Sequence, residues 1–195
     1  MHLGLVLGVF ALIFVAELPD KTMIATLIMG SRSRPLLVWI GATAAFTFHA
    51  ALAVLAGGLL ALLPHAWVEG VTALLFAGGA AYLLLVSEEE EEEEGEEEVA
   101  AAPKGMRPIA TAFVVIFIGE FGDLTQILTA NLAAKYQQPL AVFVGASAAL
   151  AAVAAVGAFG GRMLLKVLPL AIIRKAGGVL LAGFAIYTVV TIFVG

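Results

Sequence analysis

Apolar residues run along this chain in long uncharged stretches separated by short charged clusters. The stretches cover 1–16, 35–68, 70–87, 108–119, 136–161 and 176–195. A helix needs about 20 mostly apolar residues to cross the hydrocarbon of a bilayer. Two stretches, 1–16 and 108–119, are too short alone, but each meets a small acidic cluster and then resumes being apolar. The pattern predicts six helices, over about 3–28, 36–63, 67–87, 108–131, 139–161 and 170–194. Pro35, Pro64, Pro108, Pro139 and Pro169 fall at the proposed ends, where a residue without an N–H is tolerated. The predicted fold class is an all-α membrane protein with the lipid bilayer as its surroundings.

Composition narrows the class further. Apolar residues make up 62% of the 195 and charged residues only 13%. That excludes a soluble enzyme, a disordered chain and a nucleic-acid binder. Ten of the charges are glutamates in one run, Glu88–Glu94 and Glu96–Glu98, and without them the net charge of −5 becomes +5. There is no cysteine, so thiolate metal sites and cysteine nucleophiles are excluded. Any bound metal is held by oxygen or by one of three histidines, which favours hard cations.

The chain repeats itself. Ala16-Glu17-Leu18-Pro19-Asp20-Lys21-Thr22 matches Gly119-Glu120-Phe121-Gly122-Asp123-Leu124-Thr125 at an offset of 103. Gly41-Ala42-Thr43-Ala44 matches Gly145-Ala146-Ser147-Ala148 at 104, as Pro35 matches Pro139. Pro64, Gly78 and Tyr82 match Pro169, Gly183 and Tyr187 at 105. The chain therefore divides into a first repeat (1–87), an acidic linker (88–107) and a second repeat (108–195). Three helices per repeat, an odd number, give the repeats opposite orientations in the membrane, the plan of many secondary transporters. With the N-terminus outside, the inside loops carry Arg32, Arg34, Lys104, Arg107, Arg162, Lys166, Arg174 and Lys175, and the outside loops only Lys135. This bias places both termini outside and the acidic linker in the cytoplasm. Residues 3–16 resemble a signal-peptide core, but no basic residue precedes Lys21, and the residues that follow recur inside the chain. The stretch is read as a retained helix.

Glu17/Asp20 and Glu120/Asp123 are the informative residues. Each pair is spaced i, i+3, which puts both carboxylates on one side of a helix, near the bilayer middle. An acidic residue there costs about 2.5–3.5 kcal/mol on insertion scales, so the four must face each other, water or a cation. Lys21 is the single cation at that depth, and it can pair with Glu17. Inverted symmetry brings the two pairs together at the midplane. Clustered carboxylates in a low dielectric hold protons or bind a divalent cation. Oxygen-only ligation suits calcium, magnesium or manganese, and Thr22, Thr125 and Gln126 offer further neutral oxygens. A site that takes protons or one metal ion, but not both, is a minimal exchange device.

The two motifs resemble the paired E-x-G-D-(K/R)-(S/T) motifs of the GDT family of divalent cation/proton exchangers. The resemblance covers both halves, and the acidic loop between them is similar to that family's central loop. It implies that Glu17, Asp20, Glu120 and Asp123 bind the ion. It also implies that a divalent metal, manganese or calcium, is exchanged for protons, with manganese export from a bacterial cytoplasm as the task. Two positions depart from the motif: Pro19 replaces the first Gly, and Leu124 the second basic residue. Pro, like Gly, interrupts a helix and frees backbone carbonyls, so an irregularity is expected to persist at Pro19.

Other polar and small residues have plainer readings. His49, mid-helix in the second span, has the chemistry of a proton carrier or metal ligand, but its duplicate is the apolar Val153. His2 and His65 lie near the membrane surfaces. Thr43 and Ser147 read first as packing positions and second as site lining. The glycine pairs read as packing or hinge positions, and Asn131 as a cap or exit residue at the end of the fourth helix. The glutamate run reads as a disordered, solvated linker, or else as a loop that concentrates cations at the inner mouth. Two other functions fit less well. An exporter of a cationic organic solute needs fewer acids. An intramembrane aspartyl protease built on Asp20 and Asp123 needs no partner glutamates. No resident cofactor and no enzyme activity are expected. Orientation can be tested directly, since the chain has no native cysteine. Single cysteines at His2 and at Glu92 are expected to label from outside and from inside respectively with a membrane-impermeant maleimide.

Overall fold

A computed structural model describes residues 3–18, 20–85, 87–103, 105–167 and 170–194. His2, Pro19, Lys104 and Pro169 lie outside the described residues, as do the side chains of His65, Arg162, Lys166 and Arg174. All regular structure among the described residues is helical. The elements are α1 (Leu3–Glu17), α2 (Lys21–Arg32), α3 (Pro35–Leu60), α4 (His65–Leu85), α5 (Glu88–Ala100), α6 (Pro108–Gly119), α7 (Leu124–Tyr136), α8 (Pro139–Val167) and α9 (Leu170–Val194).

Helices α3, α4, α8 and α9 are each long and apolar enough to cross a membrane. The first and fourth predicted helices are not continuous. Each is a pair of half-helices, α1 with α2 bent by 75° and α6 with α7 bent by 72°. The interruption follows from local chemistry. Asp20 and Asp123 start α2 and α7 as N-caps with extended backbone, a role that short polar side chains favour. Gly122 takes φ +85°, which a residue without Cβ adopts freely. Counting each bent pair as one span gives six.

Helices α3 and α8 cross at the centre. Helix α3 packs on α6 and α7, and α8 packs on α1 and α2, so the two halves repeat each other's contacts. Matched glycines make close approaches in both halves. A Cβ on Gly41 would collide with the Ile109 carbonyl oxygen and Ala112, and one on Gly145 with the Val6 carbonyl oxygen and Val9. Ile109 and Ala112 lie 103 residues after Val6 and Val9. Small residues at membrane helix crossings let backbones approach this closely. Helices α4 and α9 pack mainly on each other and join the remainder through α7 and α1. The long helices present many apolar side chains outward, among them Leu55, Leu74, Leu85, Leu140 and Ile186, as does α6 with Ile118.

The glutamate run is a helix rather than a disordered linker. Glutamate is a good helix former, and Ser87 with Glu90 closes a capping box at the start. The helix docks on α2: Gly95, the single interruption of the run, lies against the Lys21 carbonyl and Ile24, and Lys21 Nζ stands 3.6 Å from Glu98 Oε1. This contact corrects the expected Lys21–Glu17 pair, because the Lys21 side chain is taken by the linker helix.

Two outcomes follow from this packing. Gly41→Ala is expected to destabilise by about 1–3 kcal/mol through overpacking, whereas Gly58→Ala, which meets open space on the same helix, is neutral or slightly stabilising, as read from unfolding in mixed micelles. Burial pushes the Glu98 carboxyl above its usual range, against the opposing pull of Lys21. A group with a raised value binds its proton more tightly when docked. Docking of α5 on α2 is therefore strongest in acid and weakens as pH rises through that raised value. Spin-label distances between α5 and α2 are expected to lengthen as pH rises above the usual carboxylate range, and to lose that dependence in Glu98→Gln.

Candidate cation site at the helix breaks

The four predicted acids all sit at the two breaks. Glu17 is the last residue of α1 and Asp20 caps α2, joined by an Asp20 N–H to Glu17 carbonyl bond of 3.1 Å. Glu120 is the C-cap that follows α6 and Asp123 caps α7, joined by the matching Asp123 N–H to Glu120 carbonyl bond of 3.2 Å. The members of each pair are therefore carried across a turn and do not share one helix face. Each capping Asp stands at the positive end of a half-helix, where a carboxylate is favoured. Asp20 Oδ1 accepts from the Lys21 N–H at 2.8 Å, while the Asp123 side chain makes no capping bond.

Three of the four converge. One carboxylate oxygen from each of Glu17, Asp20 and Glu120 lies within 4.8 Å of the other two. Glu17 is fully buried, and Glu120 and Asp20 are 2% and 7% exposed. Thr22 Oγ1 donates to Glu17 Oε1 at 3.2 Å. Glu17 Oε2 and Glu120 Oε1 are buried without a hydrogen-bond partner among the described residues. Three carboxylates this close in a low-dielectric interior require more compensating positive charge than Lys21, shared with Glu98, supplies, and protons or a bound cation can provide it. Asp123 stands beside the trio. With Asp20, Lys21, Glu94 and Tyr82 it lines a cavity of about 480 Å³ on the side of the acidic helix. A second cavity of about 480 Å³, between α1, α7 and the α4–α9 pair, is lined by none of the four acids.

The further candidates divide. Thr22 touches the trio, and Thr125 lines both the first cavity and a small void beside Glu120. The side-chain oxygen of Gln126 accepts the Gly122 N–H at 2.8 Å, which uses the oxygen proposed for a cation. His49 is 3% exposed and lies outside the carboxylate trio, its Nε2 3.0 Å from the Phe117 carbonyl and its Nδ1 2.8 Å from Gln126 Nε2. Thr43 and Ser147 have buried hydroxyls with no partner among the described residues. Asn131 lies inside α7, not at its end, and donates to the Ile127 carbonyl at 3.3 Å. Sequence reasoning missed Glu94 and Glu98, which were lost in a uniform run. The signal was Gly95, a small residue at the one point where that run needs close contact.

Comparison with known proteins identifies the family of the chain. The family described as "Divalent cation/proton antiporter GDT1" matches residues 5–91 and 108–194, once for each half. A rice protein (Oryza sativa subsp. indica), "GDT1-like protein 1, chloroplastic", is 29% identical over 94% of this chain and 61% of its own length. "GDT1-like protein 5" of Arabidopsis thaliana is 27% identical over 93% of both chains. The chain thus spans about three fifths of the length of the rice relative. No solved structure matches. The family is one of transporters, not enzymes, which removes the protease reading. By its sequence, its two three-span repeats and the match across both, the chain belongs to the GDT1 family of membrane divalent cation/proton antiporters.

Proposed function

We propose that the chain exchanges a divalent cation for protons through the Glu17–Asp20–Glu120 cluster, with Asp123 at its approach. Manganese is the favoured ion and calcium the second. The observation that carries the reading is the convergence of three buried carboxylates from both halves within 4.8 Å, two of them with an unpaired oxygen. All the acidic ligands are oxygen donors, which suits a hard divalent ion. His49 is engaged by Phe117 and Gln126, so it does not serve as a nitrogen ligand.

Exchange follows from charge balance. A divalent ion neutralises the cluster as two protons do, and the cluster cannot hold both loads in a low-dielectric site. Loading the metal expels protons, and loading protons expels the metal. The cavity lined by Asp20, Asp123 and Glu94 gives access from the side of the acidic helix, which positive-inside counting places in the cytoplasm. Metal then enters from the cytoplasm and leaves in exchange for external protons, as an exporter of a bacterial inner membrane would work.

The test is reconstitution into liposomes carrying a pH dye and a metal dye, with manganese, calcium or magnesium added outside. Metal uptake accompanied by proton release, fastest for manganese and at least about tenfold slower in Glu120→Gln, is the expected result. Metal entry with no proton movement overturns exchange in favour of a channel. Vesicles that pass none of the three ions overturn the metal reading altogether.

A further inference from the structure

The two breaks carry the same acids but are held in different ways. At the first, the Leu18 N–H reaches the Phe14 carbonyl at 2.9 Å. At the second, the matching Phe121 N–H turns to the Ile118 carbonyl at 3.3 Å, which leaves the Phe117 carbonyl free of a helical donor. His49 Nε2 takes that carbonyl at 3.0 Å. The Gly122 N–H is also freed by the turn, and Gln126 Oε1 takes it at 2.8 Å. The position matching Gly122 is Pro19, which has no N–H to satisfy. The positions matching Gln126 and His49 are Met23 and Val153, and these two pack against each other beside Phe14 and Leu18. The set Pro19, Met23 and Val153 in one half is thus replaced as a unit by Gly122, Gln126 and His49 in the other.

The bonding fixes the chemical state of the histidine. A backbone N–H only donates, so the Gln126 oxygen faces Gly122 and its amide NH₂ faces His49. Nδ1 must then accept, and the proton sits on Nε2, which donates to the Phe117 carbonyl. The ring is neutral and both its nitrogens are used. Phe117 and Phe121 lie against the ring, with centroids at 4.9 and 6.1 Å. Freed backbone groups at membrane depth persist only where side chains re-satisfy them.

We infer that His49 is a positioning residue for Glu120. Acting with Gln126, it clamps residues 117 and 122 on either side of Glu120. It works as a fixed donor–acceptor and neither binds metal nor carries protons. For its transport readout the inference rests on the exchange reading above; its backbone readout does not.

The test compares His49→Gln, which keeps one donor and one acceptor without an imidazole, with His49→Leu, which keeps neither. In proteoliposomes His49→Leu is expected to raise the half-saturating manganese concentration at least about tenfold, with His49→Gln within about threefold of the parent. Hydrogen exchange of residues 117–126 is expected to quicken in His49→Leu and not in His49→Gln, with residues 14–23 unchanged in both. Should His49→Leu fail to fold, Gln126→Met, which installs the residue found at the duplicate position, is expected to give the same two changes. Equal loss of transport in His49→Gln and His49→Leu, with exchange protected in His49→Gln, would assign His49 to proton or metal chemistry and overturn the inference. Unchanged exchange at 117–126 in both His49→Leu and Gln126→Met would also overturn it. If the parent moves no metal, the exchange reading fails, and hydrogen exchange alone still decides whether the clamp exists.

Discussion

A backbone N–H or C=O inside hydrocarbon has no water to bond, and leaving one unpaired costs several kcal/mol. Everything at the centre of this molecule depends on how that demand is met at two helix breaks. Breaking a helix frees polar groups, and the freed groups need partners supplied by neighbours. In return, the break turns two carboxylates per half away from lipid and toward the other half. The fold is an arrangement in which Glu17, Asp20 and Glu120 are buried while side chains and turns take up main-chain groups that the breaks set free.

The two halves meet this demand with different chemistry. The first uses a proline, which removes a donor, and closes the space with Met23 and Val153. The second uses Gly122 and repairs the ladder with Gln126 and His49. An apolar filling tolerates small slides at little cost, whereas a hydrogen-bonded clamp holds one geometry. The duplicated motifs are therefore equivalent in their acids and unequal in their stiffness. Helix α5 adds to the inequality: it rests on α2 beside the first break and holds Lys21 close to the site.

Much of this was legible in the residues. Six apolar segments, the offset of 103–105 and the two acidic motifs were enough to place Glu17, Asp20 and Glu120 near one another. The breaks were legible in part: an irregularity was expected at Pro19 and its Gly counterpart, but hydropathy runs on through Leu18 and Phe121 and hides the size of the change of axis. The signal present was a turn-former followed by a capping residue, Pro19-Asp20 and Gly122-Asp123. The helix at Glu88–Ala100 was misread because like charges argue against it locally. Its capping box at Ser87 and Glu90 is visible in the sequence, but its docking brings Gly95 and Glu98 against α2 and Lys21, more than 70 residues earlier, a contact no local pattern carries. His49 and Gln126 are likewise 77 apart. Their clue was subtractive: each is polar where its duplicate is apolar, and the two mismatches lie on helices that touch.

The half-helices also act as rulers. Helices α1, α2, α6 and α7 have 15, 12, 12 and 13 residues, about 18–22 Å each, against a hydrocarbon core of about 30 Å. Their lengths set the depth of the carboxylates and, through the helical rotation of about 100° per residue, the direction in which each leaves its helix. Adding one residue to α1 moves Glu17 by about 1.5 Å and swings it off Glu120, although every side chain is kept. Along these four segments the count of residues is constrained separately from their identity, and a length change is felt at the midplane however mild its composition.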